Sequence, residues 1–409
     1  MGGTRPAIDG ILYVLSDWGS FKGIGMDQSP QAALPTWKNI HWPIASFILS
    51  AHLIAAVGTY FYATMHGFSM SAIIIAVVFL FLTCFGISGG YHRLFAHGTY
   101  EAHPILKIFY LIFGAASFEA SALKWASDHR KHHAYIDEDQ DPYNIKRGFW
   151  WAHIGWILTK DPASQGISKV GDLERDPWIK FQHNHYGLVA FTFGLILPAL
   201  IGWACGDFWG GLLIGGFLRI VFFYHSTFSI NSVAHIWGSQ PYSDDDSARD
   251  SWFTAFLTMG EGFHNFHHTF SADYRNGVNP WEYDPTKWIL NVFNLVGLAK
   301  NLIRTPEPVV LKAKLRMQAK RAEADLKAHP HAAEKLRIAR EKLERILDTW
   351  NAVKAEWAEE RARLKDRSEA LVTKLRHDMA ESRRKYHEAY AAWIEALRNP
   401  HLLAASDLA

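Results

Sequence analysis

Three clusters carry most of the chemistry open to this chain: His92 and His97 in HRLFAH, His129, His132 and His133 in HRKHH, and His264, His267 and His268 in HNFHH. They hold eight of its 22 histidines. Imidazole serves as an acid–base group and as a metal ligand. A lone histidine is usually a hydrogen-bonded structural residue, whereas three dense clusters point to metal. In HxxHH the first ring meets the other two at i+3 and i+4, so on a helix they share one face and can converge on one or two ions. In HxxxxH the separation is about 140° round an ideal helix, so that stretch is expected where a helix ends or unwinds. The only cysteines, Cys84 and Cys205, lie in apolar runs, which excludes a thiolate site or a disulfide framework. Any metal is held by nitrogen or oxygen. Eight imidazoles exceed the four ligands of a tetrahedral zinc site, so two metals are implied. Imidazole suits Fe, Zn, Cu and Ni; two irons open to dioxygen best fit an enzyme that handles an inert substrate.

Long apolar segments must position these clusters. Four of them reach the roughly 20 residues that cross a bilayer: 43–65, 70–90, 187–206 and 209–234. They form two hairpins, the first closed by HGFS and the second by Asp207 and Phe208. The hairpin loops carry no basic residue, while Tyr91 to Tyr186 carries 11 and the first 42 residues carry 3. The positive-inside rule therefore places the clusters and both termini in the cytoplasm. No signal-peptide pattern opens the chain, so the first span is expected to target it. Arg219 and His225 within the fourth span should turn to protein interior or water. The apolar stretch 104–123 is broken by Lys107 and Glu119 and reads as interfacial or cytosolic helix.

Composition changes near residue 305. Residues 1–308 hold 20 Lys+Arg against 24 Asp+Glu, and residues 309–409 hold 22 against 16, so the charge passes from net negative to net positive. In the tail Leu336, Ala339, Leu343, Ile346, Trp350, Val353 and Trp357 alternate at spacings of three and four, the seam of a coiled coil or a packed helix pair. The other reading is a solvated helix whose tryptophans shield themselves locally. His329-Pro330-His331 should break the helix before the seam. The fold class expected is all-α: an integral membrane protein with four transmembrane helices in two hairpins, a cytosolic helical cap carrying a histidine-rich dimetal site, and a C-terminal helical or coiled-coil extension. Its parts are a cytosolic segment 1–42, a membrane domain 43–304 and a charged helical extension 305–409.

The stretches GGYHRLFAH, WASDHRKHH, DPYN, RGFWWAHIGW, NSVAH and GEGFHNFHH, in this order and divided by hairpins of spans, resemble the membrane-bound fatty acyl desaturases, in particular the stearoyl-CoA (delta-9) branch. The likeness covers about Pro35 to Trp288 and leaves the tail without a counterpart. It implies a di-iron site with His235 as a ninth imidazole and Asn231 as a ligand through water, the nine rings dividing as four and five. By analogy one iron takes His97, His132 and His267 with one or two others. The alternative for Asn231 is a helix–helix hydrogen bond.

The same resemblance implies a bent tunnel for an acyl chain, with Trp156 and Thr227 near the bend and Asn39, Asp128 and Lys160 at the headgroup. It places the blind end at Cys84 and Leu80, which share a helix face at i and i+4. Trp156 is equally an interfacial anchor, Lys160 a solvated charge, and Cys84 with Leu80 a helix-packing pair. Phe228, Ser127 and Ala120 replace a Trp, an Arg and an Asn that are usual in the animal enzymes, which weakens a CoA carrier.

Removing hydrogen from an unactivated methylene is beyond acid–base side chains and needs a metal-bound oxidant made from dioxygen. The pattern has no GxSxG, CxxC or GxGxxG. No haem or flavin site is present in it, so an external donor of the cytochrome b5, ferredoxin or rubredoxin type is expected. The expected partners are long-chain acyl-CoA or acyl-lipid, dioxygen and membrane lipid, with self-association through the C-terminal helices and no nucleic acid. The expected location is multi-pass in a bacterial inner membrane. A di-iron hydroxylase on the same substrates is the competing enzyme, and a non-catalytic metal-binding scaffold the competing class.

Overall fold

The structure, a computed structural model, describes residues 37–67, 69–325, 330–363 and 369–398. Most of the segment 1–42 therefore lies outside the described residues. The chain is an all-α integral membrane protein whose spans, Trp42–His66, Met70–Ala96, Tyr186–Ala204 and Phe208–His235, form two hairpins. Their lipid-facing positions, among them Leu53, Val77, Leu188 and Trp209, are exposed and apolar, as the hydrocarbon layer requires. Asp207 ties the hairpins together where they turn: its carboxylate accepts from Gly210 N–H at 2.8 Å, from the Tyr62 hydroxyl at 2.6 Å and from Ser69. The third and fourth spans cross closely at glycine, because a Cβ on Gly202 would stand 2.7 Å from Gly211 Cα.

Helix Pro104–Ala115 has 12 residues, too few to cross. It packs on the histidine-bearing half of the second span, where a Cβ on Gly86 would lie 2.6 Å from Gly114 N. A short antiparallel pair, Glu101–Ala102 with Ala299–Lys300, joins the start of this helix to the end of the cap. Arg219 is buried and satisfied by carbonyls alone, donating to Ala116 O at 2.9 Å and Gly194 O at 2.7 Å. His225, expected to turn to protein interior or water, does not sit in the core. It sits at an exposed position, held by ring contacts to His52 at 3.1 Å and His153 at 3.0 Å.

Among the described residues the tail forms three helices, Glu307–Asp325, Pro330–Arg363 and Glu369–Arg398. Pro330 opens the second of them, its missing N–H being unneeded at a first turn, and residues 326–329 lie outside the described residues. Leu315, Ala319, Leu336, Leu343, Leu347, Tyr386 and Trp393 form a common core, with Ala339, Ile346 and Trp350 packed on it. The seam is thus covered by the chain's own helices. Trp350 stacks on Tyr386 at 4.9 Å, and Trp393 Nε1 donates to Gln318 at 3.0 Å. Val353 is part-exposed, and the side chain of Trp357 lies outside the described residues.

The break near residue 305 is compositional rather than a gap in packing. Thr305 N–H donates to Asp273 at 2.8 Å, Val310 packs with Tyr242 and Phe266, and Lys320 pairs with Asp244 at 2.7 Å. Ending the chain at Thr305 should therefore lower the melting temperature by several degrees while retaining the metal, since burial of Val310 and the faces it covers amounts to about 2–3 kcal/mol. Thermal unfolding with metal analysis of the truncated protein checks this. Complete loss of metal would make helix Glu307–Asp325 part of the metal-binding unit.

Candidate metal centre

Each histidine cluster is aimed by a local feature of the backbone. The second span leaves α geometry at Gly86 and continues as π turns to Ala96. His97 N–H bonds His92 O at 3.1 Å, an i to i−5 bond that brings residues five apart towards one face. Their ring centroids are 4.9 Å apart. Helix Ala122–Tyr135, capped by Ser121, carries His129, His132 and His133. The short helix His264–Thr269 carries the third cluster, and His235 ends the fourth span in a 3-10 turn.

The nine rings assemble into two groups: His92, His97, His129, His133 and His267, and His132, His235, His264 and His268, with the ligand nitrogens of each group within 4.8 Å of one another. The division by analogy is corrected here. His132 belongs to the group that excludes His97 and His267, because its ring meets His235 and His268, at 5.3 and 4.9 Å between centroids, while His129 and His133 meet His97 at 4.9 and 4.6 Å. In the first group His97 Nε2 lies 2.8 Å from His129 Nε2, and His92 Nε2 3.0 Å from His267 Nε2. In the second, His264 Nε2 lies 3.1 Å from both His235 Nε2 and His268 Nε2.

The outward nitrogens explain why these rings suit a cation. His92 Nδ1 meets Glu261 at 2.6 Å, His132 Nδ1 meets Asp141 at 2.9 Å, and His235 Nδ1 meets Ser247 Oγ at 2.8 Å. Both carboxylates are acceptors. The Ser247 hydroxyl already donates to Asp137 at 2.6 Å, so His235 must donate to it. These three rings carry their hydrogen on Nδ1, and their Nε2 lone pairs converge inward. Lone pairs this close repel unless a cation lies among them. Burial, reinforced by the neighbouring rings, holds His97, His129, His133, His264, His267 and His268 well below the usual imidazole range, hence neutral and able to coordinate. Burial alone would raise Glu261, but His92 and Arg93 beside it hold its carboxyl at about 2.

An apolar cavity of about 600 Å³ ends against this centre, reaching His92, His129, His132, His264 and Glu261. Phe47, Ile48, Ile87, Phe118, Trp125 and Phe228 supply much of its wall. Of the residues expected at a substrate, Trp156, Thr227, Asp128 and Asn231 line it. Asn39 and Lys160 do not; both are exposed, joined by a 2.7 Å backbone bond next to the lining residues His41 and Thr159. Cys84 lines a small adjoining space that shares Ile87, Thr227, Ile230 and Glu261 with the cavity. Leu80 lines neither and packs against the hydrophobic core, so the pair does not act as one wall. At the mouth Lys124 Nζ holds Asp128 at 2.5 Å and Ser164 O at 2.7 Å. Burial outweighs Lys124 and pushes Asp128 up to about 6.

Comparison with known proteins decides the family. The family model described as fatty acid desaturase matches residues 70–293, more than half of the chain and all nine histidines of the two groups. The chain belongs to the fatty acid desaturase family. It is 40% identical over 297 residues to a probable acyl-CoA desaturase of Schizosaccharomyces pombe, covering 72% of this chain and 61% of that one. It is 44% identical over 237 residues to acyl-CoA desaturase 1 of Saccharomyces cerevisiae, covering 58% and 46%. It is 32% identical over 272 residues to an sn-1 stearoyl-lipid 9-desaturase of Anabaena variabilis, covering 66% and 96%. The chain thus spans about half to three fifths of the yeast relatives and nearly all of the cyanobacterial one.

Within this desaturase fold, sequence reasoning passed over the groups that orient the rings. Glu261 stands in GEGFHNFHH and Asp141 in DPYN, stretches that are visible as patterns but give no role to their acids. A carboxylate within the same short stretch as a ligand cluster was the available signal. Ser247, 12 residues from His235, left none.

Proposed function

We propose that this protein is a dioxygen-dependent desaturase that introduces a cis double bond, at the delta-9 position, into a long-chain saturated acyl group carried by CoA or by a lipid. The observation that supports this reading is the convergence of two imidazole groups on the wall of one apolar cavity. The five-ring group would hold one iron and the four-ring group the other, with Asn231 one turn before His235. When bound, the two irons supply the oxidant, drawn from dioxygen, that an unactivated methylene requires. The chain's own residues bind and align the substrate. The aromatic and aliphatic wall excludes water and strips the acyl chain of its hydration, at about 0.8 kcal/mol per methylene. Lys124 and Asp128 provide polar contacts where the headgroup enters.

The relatives divide between CoA and lipid carriers, and the stearoyl-lipid 9-desaturase favours the 9 position. Electrons would come from an external donor of the cytochrome b5, ferredoxin or rubredoxin type, and the basic loops favour a site on the cytoplasmic side. The catalytic unit is the membrane domain 43–304, with 305–409 an extension sealed onto it. Expression in cells lacking unsaturated fatty acids, followed by mass spectrometry with double-bond location, is the test. Loss of two hydrogens at the 9 position is expected; gain of one oxygen would make the protein a hydroxylase.

Cys84 sets a second expectation. The space it lines continues the cavity past Thr227 and Ile87, so Cys84→Trp should shift the product profile towards acyl chains shorter by a few methylenes, each worth about 0.8 kcal/mol. An unchanged chain-length profile in a folded, metal-loaded variant would return Cys84 to helix packing.

A further inference from the structure

Glu119 is a buried carboxyl that neither metal group uses. It lines the acyl cavity at 6% exposure. Trp125 Nε1 donates to its Oε2 at 3.3 Å, while Oε1 is buried with at most a weak contact to the Thr227 hydroxyl. A buried ionised carboxylate so poorly served is costly. No cation hydrogen-bonds it among the described residues, and burial pushes its carboxyl up to about 8 against the weaker pull of Trp125 and Thr227.

The backbone around it is unusual in the same direction. Phe118 and Ala120, on either side, both have left-handed φ, 63° and 75°. Neither residue type tolerates that region readily, and such strain persists only where the surroundings over-determine it. Here they do. The Tyr224 hydroxyl donates to Phe118 O at 3.0 Å, Ala120 N–H donates to the Tyr186 hydroxyl at 3.1 Å, and Arg219 holds Ala116 O at 2.9 Å. The third and fourth spans clamp a strained loop whose effect is to turn one carboxyl into the cavity. The titratable groups in electrostatic reach are Cys84 and Tyr91 of the second span, Tyr143 of the cap, Tyr186 of the third span and Tyr224 of the fourth. Burial holds the Tyr143 phenol neutral, and the buried cation of the fourth span, Arg219, spends its donors on backbone carbonyls, so none of these groups hydrogen-bonds an ionised Glu119.

We propose that Glu119 is a specificity-determining residue of the acyl cavity that must be the neutral acid for a saturated chain to enter, so that its ionisation closes the cavity to the chain. The proposal rests on the desaturase reading of the site and adds its regulation by protons. A bound alkyl chain removes the last water from Glu119 and offers no donor, so the ionised form is excluded from the complex. The sign follows: the neutral form dominates below about pH 8, and affinity is lost as pH rises through that value.

The test is equilibrium binding of stearoyl-CoA to the anaerobic, metal-loaded, detergent-solubilised protein, from about pH 6.5 to about pH 9.5. The wild-type affinity should be constant at the acid end and fall towards tenfold per pH unit above about 8, about 30-fold at the alkaline end. Glu119→Gln and Glu119→Ala, which cannot titrate, should show no such slope. A protonated-carboxyl infrared band that disappears with a midpoint near 8 in the wild type and is missing from Glu119→Gln, while the bands of the other raised carboxyls, Asp128 and Asp250, remain in both, gives an independent readout. A flat wild-type profile, or an equal decline in Glu119→Gln, overturns the proposal while leaving the desaturase reading intact. Absence of stearoyl-CoA and stearoyl-lipid binding at every pH overturns both.

Discussion

Replacing any one of His132, His133, His267 or His268 by alanine should abolish turnover, by at least about 100-fold, while the protein stays in the membrane. Insertion draws on the apolar spans and coordination on imidazole, so the two properties separate. The grouping adds a sharper expectation. His133 and His267 belong to the five-ring group and His132 and His268 to the four-ring group, so each variant should lose metal chiefly from its own group and retain part of the other's. Metal analysis and turnover of the four membrane-extracted variants check this. Two variants with near-normal turnover and full metal would remove these residues from the site.

What could be read from the sequence was what depends on local period and length. The four spans needed only apolar runs of sufficient length, and the five-residue gap between His92 and His97 already demanded the departure from α geometry that the π turns provide. What could not be read depends on which helices come together. His129, His132 and His133 look equivalent along the chain, and only the approach of His235 and His264 from one side and His97 and His267 from the other divides them. Leu80 and Cys84 share a face by helical geometry, but cavity shape, set by residues such as Phe223 and Leu257 from later in the chain, lets only Cys84 reach open space. The tail shows the same limit: its seam was legible, its partner was not, because Tyr386 and Trp393 return from a helix that begins 33 residues after Leu336.

Arg93 is the residue on which the centre's frame most depends, and its replacement should be the costliest single change outside the ligands. It lies between the histidines of HRLFAH at 1% exposure. Its guanidinium donates to Glu261 at 2.9 Å, to Asp284 at 2.9 Å and to Tyr274 O at 2.8 Å. Asp284 in turn accepts from the backbone N–H groups of Asn276, Gly277 and Lys287, and Glu261 holds His92 Nδ1. One cation therefore neutralises two buried acids and fixes the orientation of a ring in the five-ring group. Arg93→Met leaves both acids buried without it, which costs about 3–5 kcal/mol when one partner of such a pair is removed. Lys restores the charge but not the planar fork that reaches three acceptors at once, so Arg93→Lys should fall between the two. The expected order in thermal stability and in metal retained by the five-ring group is wild type, Arg93→Lys, Arg93→Met. If Arg93→Met unfolded within about 1 kcal/mol of the wild type, the two carboxyls would be protonated rather than paired, and the hold of Glu261 on His92 would have to be a neutral hydrogen bond.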